Sequence, residues 1–162
     1  MQVTTLEADE VKTDEITGLD EEDNDFTLIS KKNPEVKFEI NRSYLNISKV
    51  IKTSISHDDD KSLELNIEPK MLELVVEYMN IHKGEEPKEI KKPLQSDDIS
   101  KAVSAEDAEF INKLSRQECY DIIHTANYLG INSLLNLGCA KIASLLKGQP
   151  ISKIPEILDT KN

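Results

Sequence analysis

Residues 120–148 read YDIIHTANYLGINSLLNLGCAKIASLLKG, and their spacing predicts two helices joined at Gly130. Just upstream, Ser115 and Glu118 form a capping box that starts the first helix, which runs to Leu129. The apolar residues of this helix fall on one stripe: Cys119, Ile122, Ile123 and Ala126. The second helix spans residues 132–147, and its predicted inward positions are Leu135, Cys139, Ile142 and Leu146.

Four polar or aromatic side chains of the first helix point away from this stripe: Tyr120, His124, Asn127 and Tyr128. Tyrosine is enriched at protein interfaces, since its ring covers area at low entropic cost and its hydroxyl forms hydrogen bonds. The arc is therefore either an interface anchor or a surface covered by helix 105–114 or by the preceding loop. The second helix presents a similar choice, because its apolar coverage is wide: Leu134, Leu137, Ile142 and Leu145.

Short strands and helices are predicted before this pair of helices. Alternating hydrophobicity indicates strands, and apolar residues three or four positions apart indicate helices. In order, the predicted elements are strand 26–30, strand 36–40, a short helix capped by Ser48, strand 63–67 and helix 69–82, which Gly84 ends. The turn at Pro34 makes the first two strands a β-hairpin. Because strands come early and helices late, the pattern favours an α+β fold.

The charge distribution divides the chain. Its 162 residues carry a formal net charge of −11, of which −9 lies in residues 1–25. This stretch is predicted to be a disordered acidic tail, since charge repulsion is high and apolar surface is scarce. The rest is predicted to be a domain over residues 26–130, with an exposed loop at residues 84–104. A helical extension over residues 131–162 follows it.

Composition excludes several classes of protein. A nucleic-acid-binding protein needs clustered basic residues, and this chain is acidic. No apolar run approaches the roughly 20 residues that cross a bilayer, and the N-terminus lacks a secretory signal. We therefore expect neither nucleic acid nor a membrane among its partners. Two cysteines, Cys119 and Cys139, form no disulfide framework, so a reducing compartment, the cytosol or nucleus, is expected.

The sequence contains no recognisable catalytic motif. His57, His82 and His124 lie far apart and have no metal-ligand spacing. The five glycines form no phosphate-binding loop. Cys119 lies on the inward face of its helix, which favours a buried structural thiol over a nucleophile. We therefore expect no enzymatic activity, no cofactor and no metal ion.

The segment ANYLGINSLL, residues 126–135, resembles the S-phase-kinase-associated adaptor family, whose members join F-box proteins to cullins in SCF ubiquitin ligases. The resemblance extends in order over about residues 26–158 and includes LELNI at residues 63–67 and HKGEEP at residues 82–87. It implies a BTB/POZ fold, with a small three-stranded sheet and added C-terminal helices. It also implies a non-catalytic bridging subunit, and from the two cysteines we expect it in the cytoplasm and nucleus.

The same resemblance implies two partner surfaces. A cullin-like scaffold would contact Asn127 and Tyr128, with Tyr120 and His124 beside them. An F-box or F-box-like protein would contact apolar residues of the last helices: Leu134, Leu145, Leu146, Ile154 and Leu158. Both partners would then be held at once by one small domain.

The chain departs from the family pattern in four respects. Ala105 stands where the family usually has Trp, and Pro155 is expected to kink or shorten the penultimate helix. The sequence ends at Asn162, before the family's final acidic helix, and the acidic tail is additional. Two hypotheses follow. The first is an SCF adaptor, and the alternative is a related protein recruited as a structural subunit of a large assembly, bound to an F-box-like partner without a ligase role.

Overall fold

A three-stranded sheet forms the N-terminal part of the computed structural model, which describes residues 25–57, 59–92 and 97–159. The strands are β1 (Asp25–Ser30), β2 (Lys37–Asn41) and β3 (Ser62–Leu65), in spatial order β2-β1-β3. β1 runs antiparallel to β2, with Leu28 opposite Phe38, and parallel to β3, with Leu28 opposite Leu63. The predicted hairpin and third strand are confirmed. The chain between β2 and β3 passes from one side of β1 to the other and so places β3 beside β1. Such a crossover connection is what a parallel pair of strands requires.

The described residues also form α-helices: α1 (Lys49–Ser54), α2 (Pro69–His82), α3 (Ala105–Asn112), α4 (Arg116–Leu129), α5 (Asn132–Leu146) and α6 (Ile154–Leu158). Short 3₁₀ helices lie at Arg42–Ile47, Ile99–Lys101 and Ile151–Lys153. The predicted α+β fold class is confirmed. Within the described ranges, no helix has the length and apolar character needed to cross a lipid bilayer. The predicted acidic tail, residues 1–25, lies outside the described residues except for Asp25, which begins β1.

One hydrophobic core joins the sheet to the helices, and its largest fully buried side chains are Tyr78, Phe26 and Phe110. The Tyr78 hydroxyl donates to Ser133 Oγ at 3.0 Å and so links α2 to α5. Burial raises the pKa of the Tyr78 phenol, because the anion would be desolvated. His82 Nε2 of α2 lies 2.6 Å from Asp107 Oδ1 of α3, with both side chains largely buried. These polar contacts hold α2, α3 and α5 together.

The inward face of α5 differs from the predicted one. Cys139 is exposed, and the buried positions of the helix are Leu134, Leu137, Gly138, Ala140, Ile142 and Ser144. Gly138 faces α4 so closely that a Cβ at this position would lie 2.6 Å from Ile123 Cγ1. The helix is therefore turned so that its smallest residue meets α4. The inward face was predicted from apolar side chains alone, and glycine has no side chain, so the sequence gives no sign of this contact.

The exposed loop predicted at residues 84–104 contains a short helix and a buried side chain. It is partly structured, because Asp98 accepts from Ser100 and starts the 3₁₀ helix in which Ile99 is 2% exposed. Residues 93–96 of the loop lie outside the described residues. The preceding helix, α2, ends on Lys83, whose φ of 54° is left-handed, and Gly84 follows with φ of 86°.

Candidate protein-interaction surfaces

Both ends of α4 are fixed by local hydrogen bonds. At the N-terminus, Ser115 Oγ accepts from the Glu118 amide at 3.1 Å, and the Glu118 carboxylate accepts from the Ser115 amide at 2.9 Å. This confirms the predicted capping box. At the C-terminus, Gly130 takes a left-handed conformation with φ of 68°, and its N–H donates to Asn127 O at 3.2 Å. The helix therefore presents its outer face in a defined orientation.

The two faces of α4 are sharply separated. The inner face has no solvent exposure and consists of Cys119, Ile122, Ala126 and Leu129. On the outer face, His124 and Asn127 are exposed, and Tyr128 is 48% exposed. These three residues are called the α4 surface below. Among the described residues, Tyr128 is one of three large hydrophobic side chains that are exposed, together with Ile151 and Leu158.

The α1 helix supports the C-terminal end of α4. Ser48 Oγ accepts from the Ile51 amide at 3.1 Å and so caps α1, and it also donates to Leu129 O at 2.6 Å. The Lys49 amide donates to Gly130 O at 3.4 Å. The sequence predicts the cap from local spacing, but it contains no signal for a contact between residues 81 positions apart. This contact fixes the end of the helix that carries Asn127 and Tyr128.

Tyr120 does not share the exposure of the α4 surface. It is partly buried against the core, and its hydroxyl donates to Ile157 O at 2.8 Å. Desolvation raises the pKa of its phenol, which favours the neutral form that donates this bond. One of the two alternatives was that another part of the chain covers this arc, and this is the case at Tyr120. The covering element is α6 and not helix 105–114 or the preceding loop. The contact of Tyr120 with a cullin-like partner stays a prediction, but in this structure the Tyr120 hydroxyl is already bonded to Ile157 O.

The residues proposed for the F-box side fall into three groups. Leu134 has no exposed surface and belongs to the core, so its assignment to a partner contact is wrong for this structure. Leu145, Leu146 and Ile154 are partly buried, and Leu158 is 46% exposed. Ile151, which begins the last stretch that the resemblance assigns to the F-box side, is 85% exposed. These exposed and partly exposed side chains are called the C-terminal surface below: Leu145, Leu146, Ile151, Ile154 and Leu158.

The chain after α5 is only lightly attached to the body. None of the described residues 151–158 is buried, and α6 has only five residues. Pro155 lies in the first turn of α6, where its missing N–H has no intrahelical acceptor to lose. The predicted kink is therefore absent, whereas the predicted short helix is present. The exposed apolar side chains of this segment are available to a partner.

The described residues show no arrangement of reactive groups that indicates catalysis. Among them, no cluster of three or more His, Cys, Asp or Glu side chains is placed to hold a metal ion. His82 is engaged by Asp107 in the core, and His124 is exposed on α4. Burial raises the pKa of the Cys119 thiol to about 11, which disfavours the reactive thiolate.

Comparison with known proteins assigns the chain to a family, although no family model matches it. Over 127 residues, 76% of each chain, it is 35% identical to the S-phase kinase-associated protein 1 homolog of Tetrahymena thermophila. The chain belongs to the S-phase kinase-associated protein 1 family. It is also 30% identical over 138 residues to SKP1-like protein 9 of Arabidopsis thaliana, covering 83% of this chain and 84% of the relative. The resemblance predicted from the sequence is confirmed.

A third relative carries a name that describes an assembly. The chain is 28% identical over 142 residues to the E3 ubiquitin ligase complex SCF subunit sconC of Arthroderma benhamiae, covering 86% of this chain and 85% of the relative. The small mixed sheet and the later helices are compatible with the BTB/POZ fold that the family implies.

The segment that carries the family resemblance contains both core and surface residues. Within ANYL, residues 126–129, the Ala126 and Leu129 side chains are fully buried, so core packing accounts for them. Asn127 and Tyr128 are exposed between them, and packing within the chain does not account for these two. In this member of the S-phase kinase-associated protein 1 family, they are the strongest candidates for partner contact.

Proposed function

We propose that this protein is a non-catalytic adaptor that joins a cullin scaffold to an F-box protein in an SCF-type ubiquitin ligase. Membership of the S-phase kinase-associated protein 1 family supports this function, as does the name of the SCF subunit among its relatives. The observation that carries the proposal is the exposed Tyr128 ring on a helix fixed at both ends. We place the protein in the cytoplasm and nucleus, where its two free thiols would remain reduced.

In this proposal the α4 surface binds the cullin. A half-exposed tyrosine ring has a large apolar area to bury and a hydroxyl that can find a polar partner. Asn127 precedes it and offers an amide donor and acceptor. Because Gly130 and Ser48 hold this end of α4 in place, binding requires little rearrangement of the backbone. These properties are typical of a residue that dominates the affinity of an interface.

The C-terminal surface binds the F-box protein in the same proposal. Ile151 and Leu158 expose large apolar areas on neighbouring turns, and Leu145 and Leu146 extend the apolar area onto α5. The fully buried core of a protein interface is more apolar than the general protein surface. The two candidate surfaces share no residue, so one domain has room for both partners.

Two lysine substitutions of nearly equal exposure test the proposal, and each serves as the control for the other. Tyr128 is 48% exposed and Leu158 is 46% exposed, so neither Tyr128→Lys nor Leu158→Lys disturbs the core. Affinity for a cullin N-terminal domain and for an F-box protein is measured by titration calorimetry. We expect Tyr128→Lys to weaken cullin binding by about 2 kcal/mol, roughly 30-fold, while F-box binding stays within about threefold. Leu158→Lys should weaken F-box binding by a similar amount and leave cullin binding within about threefold.

The outcomes separate the adaptor from its alternative. If wild-type protein binds an F-box-like partner but no cullin, and native complexes contain only stable structural partners, the protein is a structural subunit without a ligase role. The short α6 with Pro155 in its first turn favours that second candidate, because a helix of five residues offers a small contact area to an F-box protein. If each lysine substitution weakens both partners equally, the assignment of two separate surfaces is wrong.

A further inference from the structure

A groove of about 460 Å³ lies between α4, α5 and the chain that ends in α6. Its apolar lining comes from Leu114, Cys119, Leu145 and Ile157. Its charged lining consists of Arg116, Lys141, Lys153 and Glu156, so three cations face one anion. The whole chain carries a net charge of −11, so this excess of positive charge is local. We call this feature the basic groove.

The cations of the basic groove form no close ion pair with a described residue, although Lys141 interacts electrostatically with Asp98 at longer range. Among the described residues, none of Arg116, Lys141 and Lys153 takes part in an ion pair, and Lys141 Nζ donates to the neutral Asn112 Oδ1 at 2.7 Å. Arg116 Nε is buried and has no hydrogen-bond acceptor in the described part of the chain. A buried donor without an acceptor is unfavourable, because it has lost its hydrogen bond to water and gained none in return. An occupant that brings a carboxylate would supply this acceptor and offset the local charge.

We propose that the occupant of the basic groove is the acidic N-terminal segment of this chain, residues 1–24. The segment contains nine carboxylates and one lysine, and it thus carries the opposite charge to the groove. Apolar residues alternate with the acids in this segment, so it can contact both the apolar and the basic lining of the groove. These apolar residues are Val3, Leu6, Val11, Ile16 and Leu19. The groove therefore matches this segment in both charge and apolar content.

The segment is long enough to reach the groove from Asp25, where β1 begins. An extended chain of 24 residues spans roughly 80 Å. A domain of this size has a radius of gyration near 14 Å, so its surface lies within that reach. Because docking would occur within one chain, the effective concentration is high, and a weak contact is sufficient to occupy the groove.

Occupancy of the groove has a consequence that rests on the proposed function. Leu145 belongs to both the basic groove and the C-terminal surface, so a docked acidic segment covers part of the surface assigned to the F-box protein. The segment then acts as an internal competitor that a partner must displace. Replacing its acids with amides is expected to increase affinity for the F-box protein about threefold or more and to leave cullin affinity unchanged.

The docking itself is tested on the full chain without any partner, so its failure is distinguishable from failure of the adaptor function. A nitroxide is attached through Thr13→Cys in a Cys139→Ser background, in which the remaining Cys119 is buried. Paramagnetic broadening of backbone amides is then measured by nuclear magnetic resonance. We expect the signals of Arg116, Gln149 and Glu156 to lose more than half their intensity, whereas signals from β2 keep theirs.

Charge reversal supplies the matched control. Lys141→Glu combined with Lys153→Glu should abolish the broadening at the groove, and Lys49→Glu combined with Lys52→Glu on α1 should preserve it. Raising the salt concentration to 1 M should also reduce the broadening, because the Debye length falls to about 3 Å. Broadening that is uniform over the surface, concentrated elsewhere, or insensitive to reversal at Lys141 and Lys153 overturns the proposal. Circular dichroism confirms that each variant is folded.

Discussion

The C-terminal turn of α4 and the segment after α5 both expose large apolar side chains, but they are attached to the body in different ways. In the turn, Leu129 is fully buried, its carbonyl accepts from Ser48 Oγ at 2.6 Å, and Gly130 fixes the chain direction. In the segment of residues 151–158, no described residue is buried, and a hydrogen bond from the Tyr120 hydroxyl to Ile157 O joins the segment to α4. The first surface is preformed, whereas the second is loosely held.

In the proposed adaptor, this difference affects the free energy of binding at each surface. Fixing the backbone of one residue costs about 1–2 kcal/mol, so a segment that becomes ordered on binding loses part of its interaction energy. The α4 surface avoids this loss because its backbone is already fixed. The C-terminal surface gains adaptability instead, since a lightly held segment can fit partners of different shape. In the proposed adaptor, the preformed surface suits a constant scaffold and the adaptable surface suits variable partners.

A matched pair of leucine truncations gives the largest expected difference between the two regions. Leu129→Ala removes a fully buried side chain and is expected to reduce the free energy of unfolding by about 2–5 kcal/mol. Leu158→Ala removes a side chain that is 46% exposed in a segment without buried residues, and it should change the free energy by less than about 0.5 kcal/mol. Urea denaturation of the full chain measures both values. Equal losses would mean that residues 151–158 are part of the cooperative core, and the distinction would fail.

Substitution of Ser48 tests how α1 supports α4, with a smaller expected effect. Ser48→Ala removes the N-cap of α1 and the donor to Leu129 O, so we expect a loss of about 2 kcal/mol. Ser104→Ala is the control, because Ser104 Oγ caps α3 through the Asp107 amide at 3.2 Å and is exposed. That loss should be about 1 kcal/mol. If thermal or urea unfolding gives the same loss for both variants, the contact with Leu129 contributes nothing.

Features encoded over a few residues were predictable from the sequence. The capping box of Ser115 and Glu118 defines the start of α4, and Pro69 defines the start of α2. The apolar stripe of α4 places Asn127 and Tyr128 outward, which the structure confirms. These predictions succeed because capping and helical periodicity depend on neighbours within one or two turns.

The remaining errors concern contacts between distant residues. The wide apolar coverage of α5 leaves its rotation undetermined, and Gly138, which has no side chain, sets it by close approach to Ile123. The family resemblance places Leu134 on a partner surface, whereas the structure buries it in the core. Tyr120 was assigned to the outer arc because the helix alone does not show that residues 151–158 return to cover it.

The smallest expected effect comes from the hydroxyl that joins the two regions. Tyr120→Phe removes the hydrogen bond to Ile157 O, which is worth about 1 kcal/mol, so the detached state of residues 151–158 should become about fivefold more populated. Cys119 lies in the groove beneath this segment, and burial raises the pKa of its thiol to about 11. A buried, protonated thiol reacts slowly at pH 8, so the rate of Cys119 alkylation reports how often the segment detaches. We expect alkylation of Cys119, followed by peptide mass spectrometry, to be about fivefold faster, with a thermal midpoint changed by less than about 2 °C.

Tyr128→Phe makes the same chemical change in the preformed region and serves as the control. Its hydroxyl lies on an exposed ring, so neither the alkylation of Cys119 nor the thermal midpoint should change. If Tyr120→Phe instead lowers the thermal midpoint by several degrees and leaves alkylation unchanged, the terminal segment unfolds together with the core. The C-terminal surface would then be as rigid as the α4 surface, and its adaptability to different partners would lose its physical basis.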